Sequence, residues 1–249
     1  MSLKNNITII ITVHGRNWTL DSCLENLKDF DCDIVIADSS KDKMDKSFGD
    51  NIKYVHEPKL NWYQKMVSRL KEVTTPLYLE LADDDRLNLD GVKQCVEFLV
   101  SSPDYNVATG QSLPPSGGQK LNGFPDATVS SDDQIKRLSG GLSHTEGVLD
   151  FIDVTHSVNR TDFGLSFYTW YTENPILWPA RWTDKTRKFY QLFTGKIKFF
   201  QTEYLYDGGH TSLLQEGKIE YPKDLGKGVL WKDFFKDTLT KEELKRAIT

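Results

Sequence analysis

The 249-residue sequence has only three cysteines, no long apolar run and no excess of basic residues. Cys23, Cys32 and Cys95 are widely spaced and form no Cys-x-x-Cys pair, which argues against a disulfide framework and against a cysteine zinc site. We expect them to be small buried side chains in a reducing compartment. The longest apolar run near the N-terminus, 7–13, is too short for a membrane span or a signal-peptide core, and no other stretch approaches the roughly 20 apolar residues that a span requires. These absences predict a soluble, cytoplasmic protein.

The charge balance argues against a further class of function. Thirty-six acidic residues against 31 basic residues give a formal net charge of -5, whereas a dedicated nucleic-acid binder needs a basic face for its phosphate contacts. We therefore expect no nucleic-acid partner. Hydrophobic residues make up 38% of the chain and charged residues 27%, so a packed core is feasible and wholesale disorder is not expected. The length fits one large domain, or a domain with a substantial appendage.

The first 110 residues alternate between strand-like and helix-like segments. Runs rich in β-branched or apolar residues predict strands at Ile7–Val13, Asp33–Ala37, Ile52–His56, Leu77–Ala82 and Tyr105–Gly110. Apolar residues at helical spacing predict helices between them, with stripes spanning Leu20–Leu27, Tyr63–Val73 and Gly91–Val100. This alternation predicts an α/β domain with a mainly parallel central sheet flanked by helices. Ligands of such sheets bind at the carboxyl ends of the strands, so functional residues are expected just after each strand.

The remainder of the chain has a different composition. Residues 111–147 contain the segments 114–118 (PPSGG) and 140–141 (GG), which predict functional loops around a short helix at Asp132–Leu138. The last hundred residues are rich in aromatic side chains, and two interpretations of them stay open: a packed core, or the wall of a carbohydrate-binding groove on which sugar faces stack. A solvated charged helix is expected at Lys241–Ile248.

Three consecutive aspartates, Asp83, Asp84 and Asp85, follow the apolar strand at Leu77–Ala82. Adjacent carboxylates repel one another and cost stability unless a cation or hydrogen-bond donors neutralise them. Hard oxygen ligands suit Mg²⁺ or Mn²⁺, which keep several waters and share one or two carboxylates with substrate phosphates. An acidic turn that caps the next helix is the alternative, but the position at the carboxyl end of a strand favours a ligand site.

Polar residues also follow the first two predicted strands. The segment 38–40 (DSS), which begins with Asp38, is equally typical of a turn or a helix N-cap, unless its strand lies near the aspartate triplet, in which case a shared ligand pocket explains it better. In the segment 14–16 (HGR), glycine permits close backbone approach and Arg16 could meet a phosphate. Lys65, on the predicted helix before the triplet, could pair with phosphate or belong to a solvated helix face.

Three of these segments together resemble family 2-type glycosyltransferases. The segment 12–16 (TVHGR) and the helix after it are similar to the family's opening, an apolar strand followed by P-T-Y-N-R and a leucine-patterned helix. The segment 34–40 (IVIADSS) is similar to the second strand, V-V-D-D-G-S, and 79–85 (LELADDD) to the L-x-x-D-x-D element of the GT-A fold. The resemblance implies a GT-A α/β domain that transfers a sugar from a nucleoside-diphosphate sugar, most often a UDP-sugar, to a hydroxyl of a saccharide or glycoconjugate.

The resemblance also implies roles at the donor site. Asp85 is the first choice as ligand of a Mg²⁺ or Mn²⁺ ion, Asp83 would face the ribose or the metal, and Asp38 would accept a hydrogen bond from the nucleobase. His210, in the segment 208–212 (GGHTS), would bind the metal or the diphosphate, with a plain loop residue as the alternative. Further donor contacts are expected from Thr12, His14, Arg16, Lys65 and Asp84.

In the second half the resemblance points to a catalytic base. Family 2 enzymes carry an E-D pair about eleven residues before a glycine that opens a strand; here Thr183 and Asp184 precede Gly195, with Thr183 in place of the glutamate. Asp184 is therefore the expected general base of an inverting transfer and Glu173 the reserve, while a helix N-cap is the alternative role of Asp184. Structural roles are expected for the histidines that have no spacing partner suggesting zinc: His56, His144 and His156.

The same resemblance divides the chain into three parts. They are a nucleotide-sugar-binding half at 1–110, an acceptor-binding half at 111–215 and a C-terminal tail at 216–249. Three interpretations of the apolar residues of that tail stay open: packing against the body, contact with a membrane surface as a peripheral association, or contact with a missing downstream domain. These residues are Leu230, Trp231, Phe234 and Phe235.

Three other classes are the alternatives. A haloacid-dehalogenase-like phosphatase carries its nucleophilic aspartate after the first strand, which here ends without a carboxylate. A nucleotidylyltransferase of similar fold needs a Gly-rich signature with Arg and Lys, of which the segment 14–16 is only a fragment. A catalytically inactive nucleotide-sugar-binding module would keep the aspartate triplet and lack a working base.

Overall fold

One sheet organises the part of the chain that the structure describes, and helices cover both of its faces. The computed structural model describes residues 2–15, 17–113, 128–137, 155–173, 183–206 and 208. Its strands are β1 Ile7–Val13, β2 Asp33–Asp38, β3 Ile52–His56, β4 Leu77–Ala82, β5 Arg86–Leu87, β6 Tyr105–Leu113, β7 Val158–Arg160 and β8 Lys196–Tyr206. Its helices are α1 Asn17–Leu27, α2 Trp62–Leu70, α3 Leu89–Ser101, α4 Thr161–Glu173 and α5 Thr183–Thr194.

The strand order is β3-β2-β1-β4-β7-β6-β8-β5. β1 is parallel to both β2 and β4, and β2 is parallel to β3, so these four strands end at the same edge. β7 is antiparallel to β4 and to β6, whereas β6 is parallel to β8, and β5 is antiparallel to β8. The first half is therefore a parallel α/β unit with a mixed extension, which confirms the α/β class expected from the sequence.

The side chains of β1 alternate between two apolar layers. Ile9 and Ile11 lie in the layer formed with α1 and α3, whereas Ile10 lies in the layer formed with α2 and α4. All three side chains are fully buried. A strand that is buried on both faces needs apolar residues at every position, which explains why β1 is a continuous apolar run in the sequence and not an alternating one.

A capping box encoded in the sequence fixes the start of α2. The Asn61 side chain accepts a hydrogen bond from the Gln64 amide at 3.0 Å, and the Gln64 side chain accepts one from the Asn61 amide at 3.1 Å. The helix buries Met66 and Leu70 against the sheet and Lys65 beside them. The start of α2 therefore determines where Lys65 meets the strand ends.

The strands expected in the first 110 residues are all present, with β2 reaching Asp38 and β6 reaching Leu113. Sequence periodicity does not reveal β5 and β7, because they are only two and three residues long. The three cysteines are free and buried, as expected. Phe167, Tyr168 and Tyr171 lie in the apolar core, so the core interpretation holds for these three aromatic residues.

Several sequence-based expectations lie outside the described residues. They concern the loops at 114–127 and 138–154, His144, His210, and the C-terminal tail with its charged helix. Within the region of the expected Asp132–Leu138 helix, residues 134–137 form a helical turn. Among the residues that the structure describes, no helix is both long enough and apolar enough to cross a membrane.

Gly91, in the first turn of α3, tests how tightly that helix packs on β8. A Cβ at this position would lie 2.4 Å from the Glu203 carbonyl oxygen, a main-chain atom that cannot rotate away. Helix propensity alone favours alanine over glycine by about 1 kcal/mol, but overpacking costs about 1–3 kcal/mol. We therefore expect Gly91→Ala to lower the free energy of unfolding measured by urea denaturation. Gly49→Ala is the control, because its Cβ would meet only Asn51 Oδ1, at 3.4 Å; a stabilised Gly91→Ala would contradict the close packing.

Candidate functional site

The carboxyl ends of β2, β1 and β4 lie side by side at one edge of the sheet. Val13 pairs with Asp38 across β1 and β2, and Thr12, which is half-buried, pairs with Ala82 across β1 and β4. Neighbouring strands lie about 4.8 Å apart, so the ends of β2 and β4 are separated by about 10 Å. The condition for a shared pocket, that the strand of Asp38 lies near the aspartate triplet, is therefore met.

Asp38 is fully buried, and both of its carboxylate oxygens accept hydrogen bonds. The Tyr54 hydroxyl donates to Oδ2 at 2.7 Å, and the Ser40 amide donates to Oδ1 at 2.7 Å. Tyr54 also accepts a hydrogen bond from the Met44 amide at 3.0 Å. Burial, reinforced by the hydrogen bond to Asp38, raises the pKa of Tyr54 to about 12, so the phenol stays protonated and remains a donor. The Asp38 carboxylate is thereby held in one orientation.

Hydrogen bonds join the loop after β1 to the loop after β2. His14 Nδ1 lies 3.0 Å from Ser39 Oγ, and the Gly15 amide donates to Ser40 Oγ at 2.8 Å. Gly15 has a φ of +73°, in the left-handed region that glycine adopts without steric cost. His14 remains exposed. Arg16 lies outside the described residues, so its contact with phosphate stays a prediction.

The aspartate triplet is mostly enclosed. Asp83 is fully buried, Asp85 is nearly so, and Asp84 is half-buried. Asp85 Oδ1 accepts a hydrogen bond from the Gly208 amide at 2.8 Å. Gly208 has no space for a side chain, because a Cβ would lie 2.1 Å from the Asp84 carbonyl oxygen. The residue two positions after β8 therefore lies directly against the triplet, whereas His210 is outside the described residues.

His156 is a neighbour of the triplet that the sequence pattern does not identify. Its Nε2 lies 3.5 Å from Asp85 Oδ2, and its carbonyl accepts a hydrogen bond from the Tyr204 hydroxyl at 2.8 Å. His156 comes just before β7, and the antiparallel pairing of β7 with β4 brings it to the end of β4. Because His156 is far from Asp85 along the chain, no residue spacing could signal this contact.

The donor set at the triplet consists of hard carboxylate oxygens with one imidazole nearby. Within the described ranges, no group of three or more His, Cys, Asp or Glu side chains has the arrangement of a self-sufficient metal site. Mg²⁺ commonly uses only one or two carboxylates and takes its other ligands from water and substrate phosphate. Asp83 and Asp85 therefore fit an ion that is bound together with a diphosphate better than an ion held by the protein alone.

The buried side chain of Lys65 places a positive charge near both Asp38 and the aspartate triplet. Its ammonium donates to the Val13 carbonyl at 2.9 Å and to the Ala37 carbonyl at 3.3 Å. Burial lowers the pKa of Lys65 to about 8, although the nearby carboxylates, Asp38 first among them, oppose this shift. The amine therefore joins the ends of β1 and β2, and its contact with a phosphate stays a prediction.

The structure describes the two candidate bases only in part. Asp184 lies in the first turn of α5, and the exposed Glu173 ends α4. The side chain of Asp184 is outside what the structure describes, so both assignments stay predictions.

One turn further along α5, the fully buried Arg187 contacts Glu80 Oε2 at 2.9 Å. The sequence carries only a faint signal of this pair, a glutamate inside the apolar strand β4.

The fold has solved counterparts, although no protein-family model and no curated protein matches the sequence. The crystal structure of S. aureus TarS 1-349 is similar with a TM-score of 0.53 at 15% identity, over 81% of this chain and 60% of that chain. The structure of S. aureus TarS 1-349 in complex with UDP-GlcNAc gives a TM-score of 0.52 at 15% identity, over 81% and 58% of the two chains. This chain thus spans about 60% of the length of the TarS structures that it matches. The likeness establishes the fold and confirms the GT-A-type α/β architecture expected from the sequence.

The depressed pKa of Lys65 predicts a pH-dependent contribution to stability. The native state releases the Lys65 proton near pH 8, whereas the unfolded chain keeps it until about pH 10.5, so the unfolded state binds more protons between these values. Stability therefore rises from pH 8 towards pH 10.5, and this contribution is lost as the pH falls through 8. We expect the free energy of unfolding of wild type relative to Lys65→Met to rise by about 2–4 kcal/mol over this range in urea denaturation. The other titrating groups cancel in that difference, and a difference that is flat with pH would contradict a buried amine.

Proposed function

We propose that the protein is a metal-dependent glycosyltransferase that moves a sugar from a nucleoside-diphosphate sugar to an acceptor hydroxyl. The observation that carries this proposal is the edge formed by β2, β1 and β4, where buried Asp38 and the aspartate triplet stand at strand ends that the sheet spacing separates by about 10 Å. That separation suits a ligand with two ends, a nucleobase at one carboxylate and a diphosphate at the other. The fold likeness to a TarS structure that contains UDP-GlcNAc supports a ligand of this class.

At the nucleotide end, Asp38 would accept a hydrogen bond from a base N–H such as that of uracil. Tyr54 and Ser40 already donate to its two oxygens, and each oxygen of an ionised carboxylate can accept a second hydrogen bond. Because both donors come from the protein, the carboxylate is oriented before the nucleotide arrives. A UDP-sugar is therefore the first donor to test, with Thr12 and His14 beside the nucleotide at the end of β1.

At the diphosphate end, Asp83 and Asp85 would hold a Mg²⁺ or Mn²⁺ ion together with phosphate oxygens. A bound divalent ion stabilises the charge that develops on the departing diphosphate. The Gly208 amide and His156 fix the orientation of the Asp85 carboxylate. Lys65 is largely protonated at neutral pH, so its positive charge, near Asp38 and Asp83, reduces the repulsion between the carboxylates.

The acceptor side needs a carboxylate that takes the proton of the attacking hydroxyl. Asp184 is the proposed base and Glu173 is the reserve. As the acceptor oxygen attacks the anomeric carbon, its proton passes to the carboxylate and the bond to the diphosphate breaks, which inverts the configuration. We propose a saccharide or glycoconjugate as acceptor, and a role in polysaccharide or glycoconjugate biosynthesis.

A nucleotide-sugar-binding module without turnover is the second candidate function. The replacement of the family's glutamate by Thr183 favours it. A turnover assay with Mn²⁺ and a mixture of nucleotide sugars distinguishes the two, because a module would bind the donor and release no free nucleoside diphosphate. Binding measurements alone would give the same result for both.

Asp85→Asn tests the metal site with little change in shape. The asparagine carbonyl can still accept the hydrogen bond from the Gly208 amide, but the charge that attracts a divalent ion is removed. We expect the affinity for UDP in the presence of Mn²⁺, measured by calorimetry, to fall by at least about tenfold. The unfolding midpoint should stay near that of wild type.

Asp90→Asn is the matched control for this variant. Asp90 is an exposed aspartate in the first turn of α3, five residues after Asp85, so the same charge is removed while both proposed metal ligands stay in place. UDP affinity should therefore stay near that of wild type. If wild type binds UDP equally well with Mn²⁺ and with a chelator, the binding is not metal-dependent. Thermal stabilisation by a panel of nucleotide sugars would identify the preferred donor.

Asp184→Asn tests the catalytic base. Loss of a general base costs about 10²–10⁴-fold in rate, so turnover should fall by about this factor while donor affinity stays nearly unchanged. Glu173→Gln is the parallel variant and should keep its turnover. Full activity of Asp184→Asn together with an inactive Glu173→Gln would assign the base to Glu173. A product that keeps the anomeric configuration of the donor would rule out the inverting mechanism.

A further inference from the structure

A buried charged cluster joins the strand that ends in the aspartate triplet to the helix that begins at Thr183. The side chains of Arg187 on α5 and Glu80 on β4 are 0% and 2% exposed, and Arg187 Nη1 lies 2.9 Å from Glu80 Oε2. Arg187 Nη1 also donates to the Tyr168 hydroxyl at 2.7 Å, and Nη2 donates to the Tyr78 hydroxyl at 3.1 Å. One guanidinium therefore contacts side chains of β4 and α4 from a single position on α5.

Glu80 is held from the other side as well. The Trp62 indole N–H and the Tyr168 hydroxyl both donate to its carboxylate. Trp62 is the first residue of α2, the helix that carries Lys65. The Glu80 carboxylate is thus the common partner of side chains from α2, α4 and α5.

The positions of the two charged residues give the pair a functional consequence. Glu80 lies three residues before Asp83, about 10 Å along an extended strand. Arg187 lies three residues after Asp184, about 4.5 Å along a helix. Strand and helix are stiff over such short lengths, so the ion pair fixes the first turn of α5 relative to the end of β4.

A need for stability does not explain why this cluster is charged. Transfer of two ions out of water is costly, and well-packed apolar residues often replace a buried ion pair with no loss of stability. What a guanidinium supplies is a rigid fork of N–H donors, which sets direction as well as distance. The partners of Arg187 occupy several of those directions, so the cluster defines one geometry for α5.

We propose that Arg187, through Glu80, is a positioning residue that sets the distance between the acceptor base and the metal-binding strand. The inference rests on the proposed function, because it requires Asp184 to act on a donor held at the triplet. In that step the base must meet the acceptor hydroxyl while the donor carbon is held in line, and a displacement of about 1 Å in such a geometry costs about 10²-fold in rate. Arg187 is fully enclosed by protein and acts only through the placement of α5.

The double variant Glu80→Met/Arg187→Met separates positioning from stability. It removes both charges together, so no uncompensated ion stays buried, but the buried Tyr78 and Tyr168 hydroxyls lose their charged partners. We therefore expect it to unfold at lower urea than wild type and at higher urea than Arg187→Met. Arg187→Met alone leaves the Glu80 carboxylate without its cation and should unfold at lower urea. We expect the double variant to bind UDP with Mn²⁺ at wild-type affinity, to keep its donor KM, and to lose about 10²-fold in kcat. Arg187→Lys, which keeps the charge but not the fork, should retain part of the rate.

Arg160→Met is the matched control. Arg160 is half-buried, and its side chain donates to three main-chain carbonyls. In the sheet it lies opposite Leu77, at the amino end of β4, and so away from the carboxyl end that carries the triplet. The variant should lower the unfolding midpoint and leave the kcat of the folded protein unchanged. The three carbonyls that it contacts belong to Leu99, Ser102 and Tyr105.

Tyr168→Phe covers the case in which the double variant does not fold. It keeps both charges and removes only the hydroxyl that bridges Glu80 and Arg187. We expect a several-fold loss in kcat with unchanged UDP affinity. If the double variant does not fold, a wild-type kcat in Tyr168→Phe would overturn the inference.

Hydrogen exchange supplies a readout that does not depend on turnover. The amides of α5 should exchange faster in the folded double variant than in wild type, while those of β1 should not change. A well-folded double variant with wild-type kcat, or with unchanged exchange in α5, would overturn the inference. A wild-type protein that neither binds UDP nor transfers sugar would instead contradict the proposed function, and the exchange experiment would still decide whether the ion pair fixes α5.

Discussion

The parallel pairing of β1 with β2 on one side and with β4 on the other is the constraint on which the rest of the structure depends. β1 is buried on both faces, and its flanking strands bring Asp38 and Asp83 to one edge of the sheet. A slip of one residue would exchange the two apolar layers that receive Ile9 and Ile10, and it would displace the strand ends at the same time. The same hydrogen bonds therefore set the packing of the core and the spacing of the candidate site.

The acidic groups that collect at this edge carry an electrostatic cost, which internal donors offset. The Tyr54 hydroxyl and a main-chain amide donate to Asp38, and another main-chain amide donates to Asp85. The Lys65 ammonium lies near Asp38 and Asp83 and donates hydrogen bonds to two main-chain carbonyls. A carboxylate oriented in this way loses little further freedom when a ligand binds, which is the physical advantage of a preorganised site.

The second half of the described chain is attached to the first through polar contacts as well as apolar packing. β7 pairs with β4, and the side-chain amide of Gln191 on α5 donates to Asn159 Oδ1 on β7 at 2.9 Å, with both side chains fully buried. The Glu80–Arg187 pair adds a direct connection between β4 and α5. Directed contacts of this kind specify an orientation, whereas apolar burial is non-directional. Such an attachment suits the proposed transfer, in which two substrates would have to be held at a set distance.

The sequence by itself determined the local elements: the buried strand β1, the apolar stripe of α2, and the aspartates that follow β4. These features depend on neighbouring residues, so residue type and periodicity are sufficient to predict them, and the order of the motifs was sufficient to predict the α/β fold. Only the tertiary structure decided that β7 pairs with β4 and that α5 packs beside it, which brings His156 to Asp85 and Arg187 to Glu80. Contacts between residues so far apart in the chain depend on the closure of long loops and on the packing of whole elements, and neither process leaves a periodic signal in the sequence.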